Sequence, residues 1–383
     1  MAHSEHETKG PGPENGAGAP GGDYALGLKR LKGEGVTQDP VLGALLVQKA
    51  AEGGVVDAQF TLAELFSNGV GVPQSFADAA MWYCSAGRQN HGEAQYRAGT
   101  CYEKGHGVPQ NVPEASRWYW LAAEQGHAEA QFALASLFRD GRGAPPDPAA
   151  AVFWLSKAAQ QGHRQAQEYL GRCFLRGTGV SLDYRGAAHW FQQAAAQGDV
   201  DACAQLGRLY EEGQGLAQNF SDAVRHYRWA AERGHSRAAF YLGSCLAAGR
   251  GVAQDLDQSV HWVKKAALDG VVEAQTLLGR FYAGGAGVDA DLAEAFKWFQ
   301  LAAVAGDKEA MMETAEAFEK ARGTPASAIE AYKWFSIAAA FGHPPAREGR
   351  DRIMGNMSTA QVIESQKLAT DIFQSIREKA VGA

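Results

Sequence analysis

The chain has 383 residues, 46% of them hydrophobic, and a formal net charge of −7. That apolar content can fill a continuous core, while the acidic balance gives no general attraction to nucleic-acid phosphates or acidic membrane surfaces. No run of about 18 apolar residues exists to span a bilayer, so neither a nucleic-acid partner nor membrane insertion is expected.

Residues 1–21 are mostly Gly, Pro, Glu, His and Asn, with almost nothing to bury, and read as a disordered tail. Met1 to Gly22 lacks the basic and apolar regions of a signal peptide, which argues against export by the general secretory route. His3 and His6 stand here, but two histidines on a flexible peptide make a weak metal site. No metal and no cofactor is expected.

From Gly22 a single spacing takes over. Trp82, Trp118, Trp154, Trp190, Trp262, Trp298 and Trp334 are separated by 36 residues or twice that, and are expected to form the structural core. Ala94, Ala130, Ala166, Ala202, Ala238, Ala274 and Ala310 follow the same step, as do glycine pairs such as Gly105 with Gly107 and Gly141 with Gly143. A fixed period of this length is the signature of a helical solenoid.

Within the unit from Glu93 to Gly126, Ala94, Ala98, Cys101 and Tyr102 fall at the three-and-four spacing of one helical face, which predicts a first helix to about Lys104. Gly105 and Gly107 supply the backbone freedom to leave it, Asn111 can cap the next helix, and Pro113 is tolerated in its first turn. Ala115, Trp118, Tyr119 and Ala122 make the buried stripe of that second helix, and Gly126 with His127 turns into the next unit. Mid-helix glycines at Gly99, Gly171, Gly207, Gly243 and Gly279 each cost roughly 1 kcal/mol relative to alanine, so close approach of a neighbouring aromatic is expected over them.

These residues resemble the Sel-one-like repeat (SLR), a relative of the tetratricopeptide repeat: Ala-Gln, Leu-Gly, Tyr, Gly-x-Gly-Val, Ala, Trp and Ala-Ala-x-x-Gly-His in a 36-residue frame. The resemblance covers nine units from Gly22 to Pro345. It implies an all-α fold, a right-handed α/α solenoid of nine 36-residue helix hairpins, divided as tail 1–21, solenoid 22–345 and helical cap 346–383. The first unit is degraded, with Leu46 at the tryptophan position. The sixth has His226 there and Trp229 three residues on, a change expected to adjust curvature locally, and the ninth has Ala321 for a turn glycine. After Pro345, Ser358 and Gln361 read as a capping box opening a last helix through Val362, Ile363, Leu368, Ile372 and Phe373. A helix of this type resembles the tails of bacterial SLR proteins and weakly favours a bacterial source.

Cys101, Cys173 and Cys245 share one frame position and lie two units apart, about 20 Å, too far to bond to one another. With Cys84 and Cys203 they make an unpaired set, which favours a reducing cytoplasm. His91, His127, His163, His235 and His343 share the inter-unit turn with Asp199 and Asp307, so they read as turn residues rather than bases. Some SLR proteins have been linked to β-lactam chemistry, but no serine here has a lysine three residues on. No catalytic residue is assigned.

The surface is left to carry function. If the first helix of each unit lines the concave face, as in related solenoids, that face presents Phe60, Tyr96, Phe132 and Phe240, with Arg172, Arg208 and Arg280 one turn on. Aromatic and arginine side chains are the types that anchor peptides, the arginines favouring an acidic one. The bland alternative is that the aromatics seal inter-unit packing and the arginines are solvated charges. The expectation is a cytoplasmic, non-enzymatic scaffold or adaptor binding protein or peptide partners; its alternative is a secreted or host-directed factor using the same surface, and a β-lactam or peptidoglycan hydrolase is a distant third.

Overall fold

The computed structural model describes residues 20–143 and 145–381, and the expected disordered tail falls almost wholly outside them. The described residues form twenty helices and no strand. Eight hairpins, with the successive helices α9 and α10 between the fourth and fifth of them, follow in chain order: α1 Pro20–Lys32 and α2 Pro40–Glu52, α3 Val56–Asn68 and α4 Phe76–Arg88, α5 Gly92–Lys104 and α6 Val112–Glu124, α7 Ala128–Asp140 and α8 Pro148–Gln160, α9 Arg164–Arg176 and α10 Tyr184–Ala196, α11 Val200–Glu212 and α12 Phe220–Glu232, α13 Ser236–Ala248 and α14 Leu256–Leu268, α15 Val272–Gly284 and α16 Leu292–Val304, α17 Lys308–Lys320 and α18 Ala328–Ala340. We call the two helices of a hairpin A and B. The chain divides into two compact units, residues 1–183 and 184–383, each an α/α-solenoid stack in which A packs on its own B and B on the following A.

The third repeat shows why the sequence folds this way. Helix α5 ends at Gly105, whose φ of +73° is the left-handed conformation that closes a helix C-terminus, and its N–H reaches the Cys101 carbonyl. Gly107 has a different duty. A Cβ there would sit 2.0 Å from the Phe76 carbonyl oxygen of the preceding B helix, so only glycine permits the approach. Asn111 Oδ1 then accepts the Glu114 N–H at 3.1 Å and caps α6, with Pro113 in the first turn.

The mid-helix glycines are explained by packing. Cβ atoms at Gly99, Gly207 and Gly279 would lie 2.5–2.6 Å from the rings of Tyr119, Tyr227 and Phe299, and at Gly243 the close neighbour is Val263. Those neighbours belong to the frame position one residue after the repeat tryptophan. That position, held by Tyr83, Tyr119, Leu155, Phe191, Tyr227, Val263, Phe299 and Phe335, is buried in every one of these repeats.

The tryptophans themselves divide. Trp118, Trp154 and Trp334 are buried, whereas Trp82, Trp190, Trp262 and Trp298 are only half-buried. Trp118 lies at the seam between repeats, over Gly87 of the previous B helix, its Cζ3 2.9 Å from where a Cβ on Gly87 would stand.

Beyond Pro345 the sequence predicts one closing helix, and the structure has two, α19 Pro344–Met354 and α20 Thr359–Val381. Gly349 of α19 sits against the Phe335 ring. At the start of α20, Ser358 N–H donates to Gln361 Oε1 at 2.9 Å and Gln361 N–H to Ser358 Oγ at 3.3 Å, a reciprocal capping box. Ala369 and Ile376 carry α20 into the core that includes Trp334 and Phe335.

Ala321 occupies the left-handed cap position that glycine holds in the other repeats, with φ of +51°. An alanine Cβ crowds the following carbonyl in that conformation, at a cost of about 1 kcal/mol. Ala321→Gly is therefore expected to stabilise the chain by about 1 kcal/mol in urea unfolding; a loss of stability would show that the backbone there is not strained.

Candidate functional site

The A-helix positions singled out in the sequence face the turn into the next repeat. Phe60 stacks on His91 with ring centroids 4.7 Å apart, Tyr96 on His127 at 4.8 Å, and Phe132 on His163 at 4.6 Å. All three aromatics are half-buried, as is Phe240, which lies against Tyr241.

Each of these histidines caps an A helix. The Ala94, Ala130, Ala166 and Ala238 N–H groups donate to Nδ1 of His91, His127, His163 and His235 at 2.9–3.2 Å. Asp199 and Asp307 accept the same bond from Ala202 and Ala310 in their own repeats. His343 Nε2 lies 3.4 Å from Glu309 without a cap bond at Nδ1; in the capping histidines, with Nδ1 an acceptor, Nε2 carries the proton and points back at the previous A helix, His127 meeting Glu93 at 2.7 Å and His235 meeting Asp201 at 3.3 Å. Both nitrogens hold structure together. Burial lowers the His163 pKa, opposed by Glu129 and aided by Arg164.

The arginines of the same face have carboxylate neighbours within the chain. Arg172 pairs with Glu168 one turn earlier, Arg208 with Glu212 at 3.1 Å, and Arg280 lies 3.6 Å from Glu309 and 3.8 Å from Glu313. Arg280 is the exposed one of the three; Arg172 and Arg208 are half-buried. The structure thus brings Phe60, Tyr96 and Phe132 onto capping rings, Phe240 onto Tyr241, and each arginine near an acid.

A second apolar surface, absent from the sequence reading, lies on the B helices of the third and fourth repeats. Trp120 is 46% exposed and Phe153 53% exposed, with Leu121 beside them. Trp154 joins the pair, its centroid 5.3 Å from Trp120 and 5.0 Å from Phe153, both edge-on. Lys157 stands over the Phe153 ring at 5.7 Å. The available signal was departure from the frame: the positions equivalent to Trp120 hold Cys84, Ser156, Gln192, Arg228, Lys264, Gln300 and Ser336.

The five cysteines are unpaired, and burial pushes the Cys101, Cys203 and Cys245 thiols up to about 11, away from thiolate chemistry. Among the described residues no three His, Cys, Asp or Glu side chains converge as a metal site would require, and no described helix is long and apolar enough to cross a membrane.

A family model described as Sel1 repeat matches nine successive segments: 21–55, 56–91, 92–127, 128–163, 164–199, 200–235, 236–271, 272–307 and 308–343. Similar solved structures include a protective antigen present in uropathogenic Escherichia coli strains that displays an SLR fold. It is 27% identical, with a TM-score of 0.73 over 94% of this chain and 85% of that one. A Sel1 repeat protein from Oxalobacter formigenes is 34% identical over 77% of this chain and 85% of that one, with a TM-score of 0.57. No curated protein matches the chain.

His163 generates a pH prediction. Its folded pKa lies below the ordinary value of about 6.5, so the unfolded chain binds the proton more readily. The stabilising cap is complete above that value and is lost as pH falls toward the lower folded pKa. His163→Asp, which copies Asp199 and Asp307, should lose less stability between about pH 7 and 5 than the parent chain in urea unfolding; parallel losses would contradict the assignment.

Proposed function

The chain belongs to the Sel1 repeat family, and from that premise we propose that it is a non-enzymatic scaffold that binds a protein or peptide partner. Proteins of this family are generally interaction scaffolds. The observation that carries the proposal is the Trp120, Leu121 and Phe153 surface, where large apolar side chains stand half exposed on a stack whose recurring residues are engaged in packing. Aromatic rings of this kind anchor partners by giving large contact area at low entropic cost. Arg117 and Lys157 at its edge favour an acidic segment beside the apolar anchor.

The second surface is the A-helix face with Phe60, Tyr96, Phe132, Phe240, Arg172, Arg208 and Arg280, the concave face of the sequence expectation. Its support is recurrence: a half-buried ring holds the same frame position in the second, third, fourth and seventh repeats. A partner there must compete with Glu168, Glu212, Glu309 and Glu313 for the guanidiniums.

The unpaired cysteines support a reducing, cytoplasmic location. The exported or host-directed alternative takes its support from the relative described as a protective antigen, and cell fractionation separates the two.

A crosslinked pull-down from native cells tests the scaffold reading. Trp120→Ala with Phe153→Ala is expected to lose the partner while helicity by circular dichroism stays unchanged, and the triple substitution of Arg172, Arg208 and Arg280 by Gln to retain it. The reverse pattern would move the interface to the A-helix face. Retention by both variants would remove both surfaces.

A further inference from the structure

The sixth repeat departs from the frame at four positions that lie together. Cys203 replaces the glutamine of Gln95, Gln131, Gln167 and Gln275, as Ala239 and Met311 do in the seventh and ninth repeats; His226 replaces the repeat tryptophan, which is kept in every other repeat from the second to the ninth; Trp229 stands where others have Lys157 or Lys265; and Arg233 replaces the turn glutamine of Gln89, Gln125 and Gln161. A notch of about 470 Å³ opens there, its wall including Gln192, Cys203, Leu206, Arg225, His226 and Trp229.

The fourth repeat provides the comparison. Its equivalent notch, about 400 Å³, is walled by Trp154, Gln131 and Gln161, and core residue Leu134 is not part of its wall. In the sixth repeat the smaller His226 ring lies flat on Tyr210, centroids 5.6 Å apart and 10° from parallel, and the notch deepens to Leu206, the counterpart of Leu134. Trp229 forms a fixed aromatic wall, with the Arg233 guanidinium 3.9 Å above its ring and bonded to the Trp229 carbonyl at 3.1 Å.

The polar groups of the notch differ from those of the fourth repeat as well. In the fourth repeat the Ala123 carbonyl accepts both the Gly126 N–H and the Gln131 side-chain amide. The equivalent Ala195 carbonyl accepts the Gly198 N–H, but the residue that would supply the second donor is Cys203. The one charged side chain in the wall is Arg225, largely exposed and 2.8 Å from Asp222.

We infer that this notch is a binding site for a planar aromatic carboxylate of indole size. The ring takes the space the repeat indole has left, between Trp229 and Leu206. A ring N–H supplies the donor missing at the Ala195 carbonyl, and the carboxylate meets the Arg225 fork. The site goes beyond the scaffold reading, since it lies on other residues and takes a small molecule.

Isothermal titration calorimetry of the full chain with indole-3-acetate tests it. The expected result is saturable binding with Kd below about 1 mM, as suits a ligand of this size. His226→Trp returns the repeat indole and Cys203→Gln the repeat glutamine; each should abolish binding while circular dichroism stays unchanged, and if His226→Trp fails to fold, Cys203→Gln decides. Arg225→Gln should weaken binding about tenfold, and tryptamine, with the same ring but a cationic arm, should bind at least about tenfold more weakly than the acid. Absence of binding to the parent chain, equal affinity in the filled variants, or equal affinity for tryptamine overturns the inference.

Discussion

A buried side-chain amide holds one repeat to the next. Gln59, Gln95, Gln131, Gln167 and Gln275 each donate to a carbonyl near the end of the preceding B helix, at 2.9–3.2 Å, across a turn of only three residues. The amide oxygens of Gln59, Gln95 and Gln131 accept in turn from Gln89, Gln125 and Gln161 at the end of the following B helix. A buried amide left without partners would be destabilising, so the A helix can stand in one register only. Alanine stripes let the helices come that close, and the aromatic position after each tryptophan fills what remains.

Charge reinforces the same joints. Tyr119 and Tyr227 donate to Glu103 and Glu211 at 2.7 Å, and an arginine from the next repeat, Arg142 or Arg250, reaches each carboxylate from the other side. Together with the histidine caps, most of the recurring polar residues belong to the scaffold. The candidate binding residues are therefore found where a repeat breaks the pattern: Trp120 and Phe153 by adding apolar surface, and the sixth repeat by removing it.

The hairpin architecture was legible because 36 residues fix two helices and two turns, and each turn announces itself by glycine. Burial within the frame was less so. A tryptophan looks like the deepest residue of its unit, yet its size makes it suited to bridging two repeats, and Trp82 or Trp190 keeps an exposed edge. The residue beside it, ranging from Val263 to Tyr227, carries no constant letter for a reader to notice, though it occupies the centre. The A-helix aromatics were visible as a recurrence, but their engagement with the capping histidines depends on the turn geometry. In the sixth repeat the substitutions were visible and their proximity was not, because Cys203 and His226 are 23 positions apart in the chain.

The glutamine rung also sets how this stack would respond to tension. Force applied along the chain loads the joints in series, and a series of joints yields at its weakest member. The rung is missing where Cys203, Ala239 and Met311 replace the glutamine, and at the first of these the repeat tryptophan is also a histidine, lying on Tyr210. The joints that enter the repeats of Cys203, Ala239 and Met311, where no glutamine stands, are thus expected to part under load before those that Gln95 and Gln131 hold.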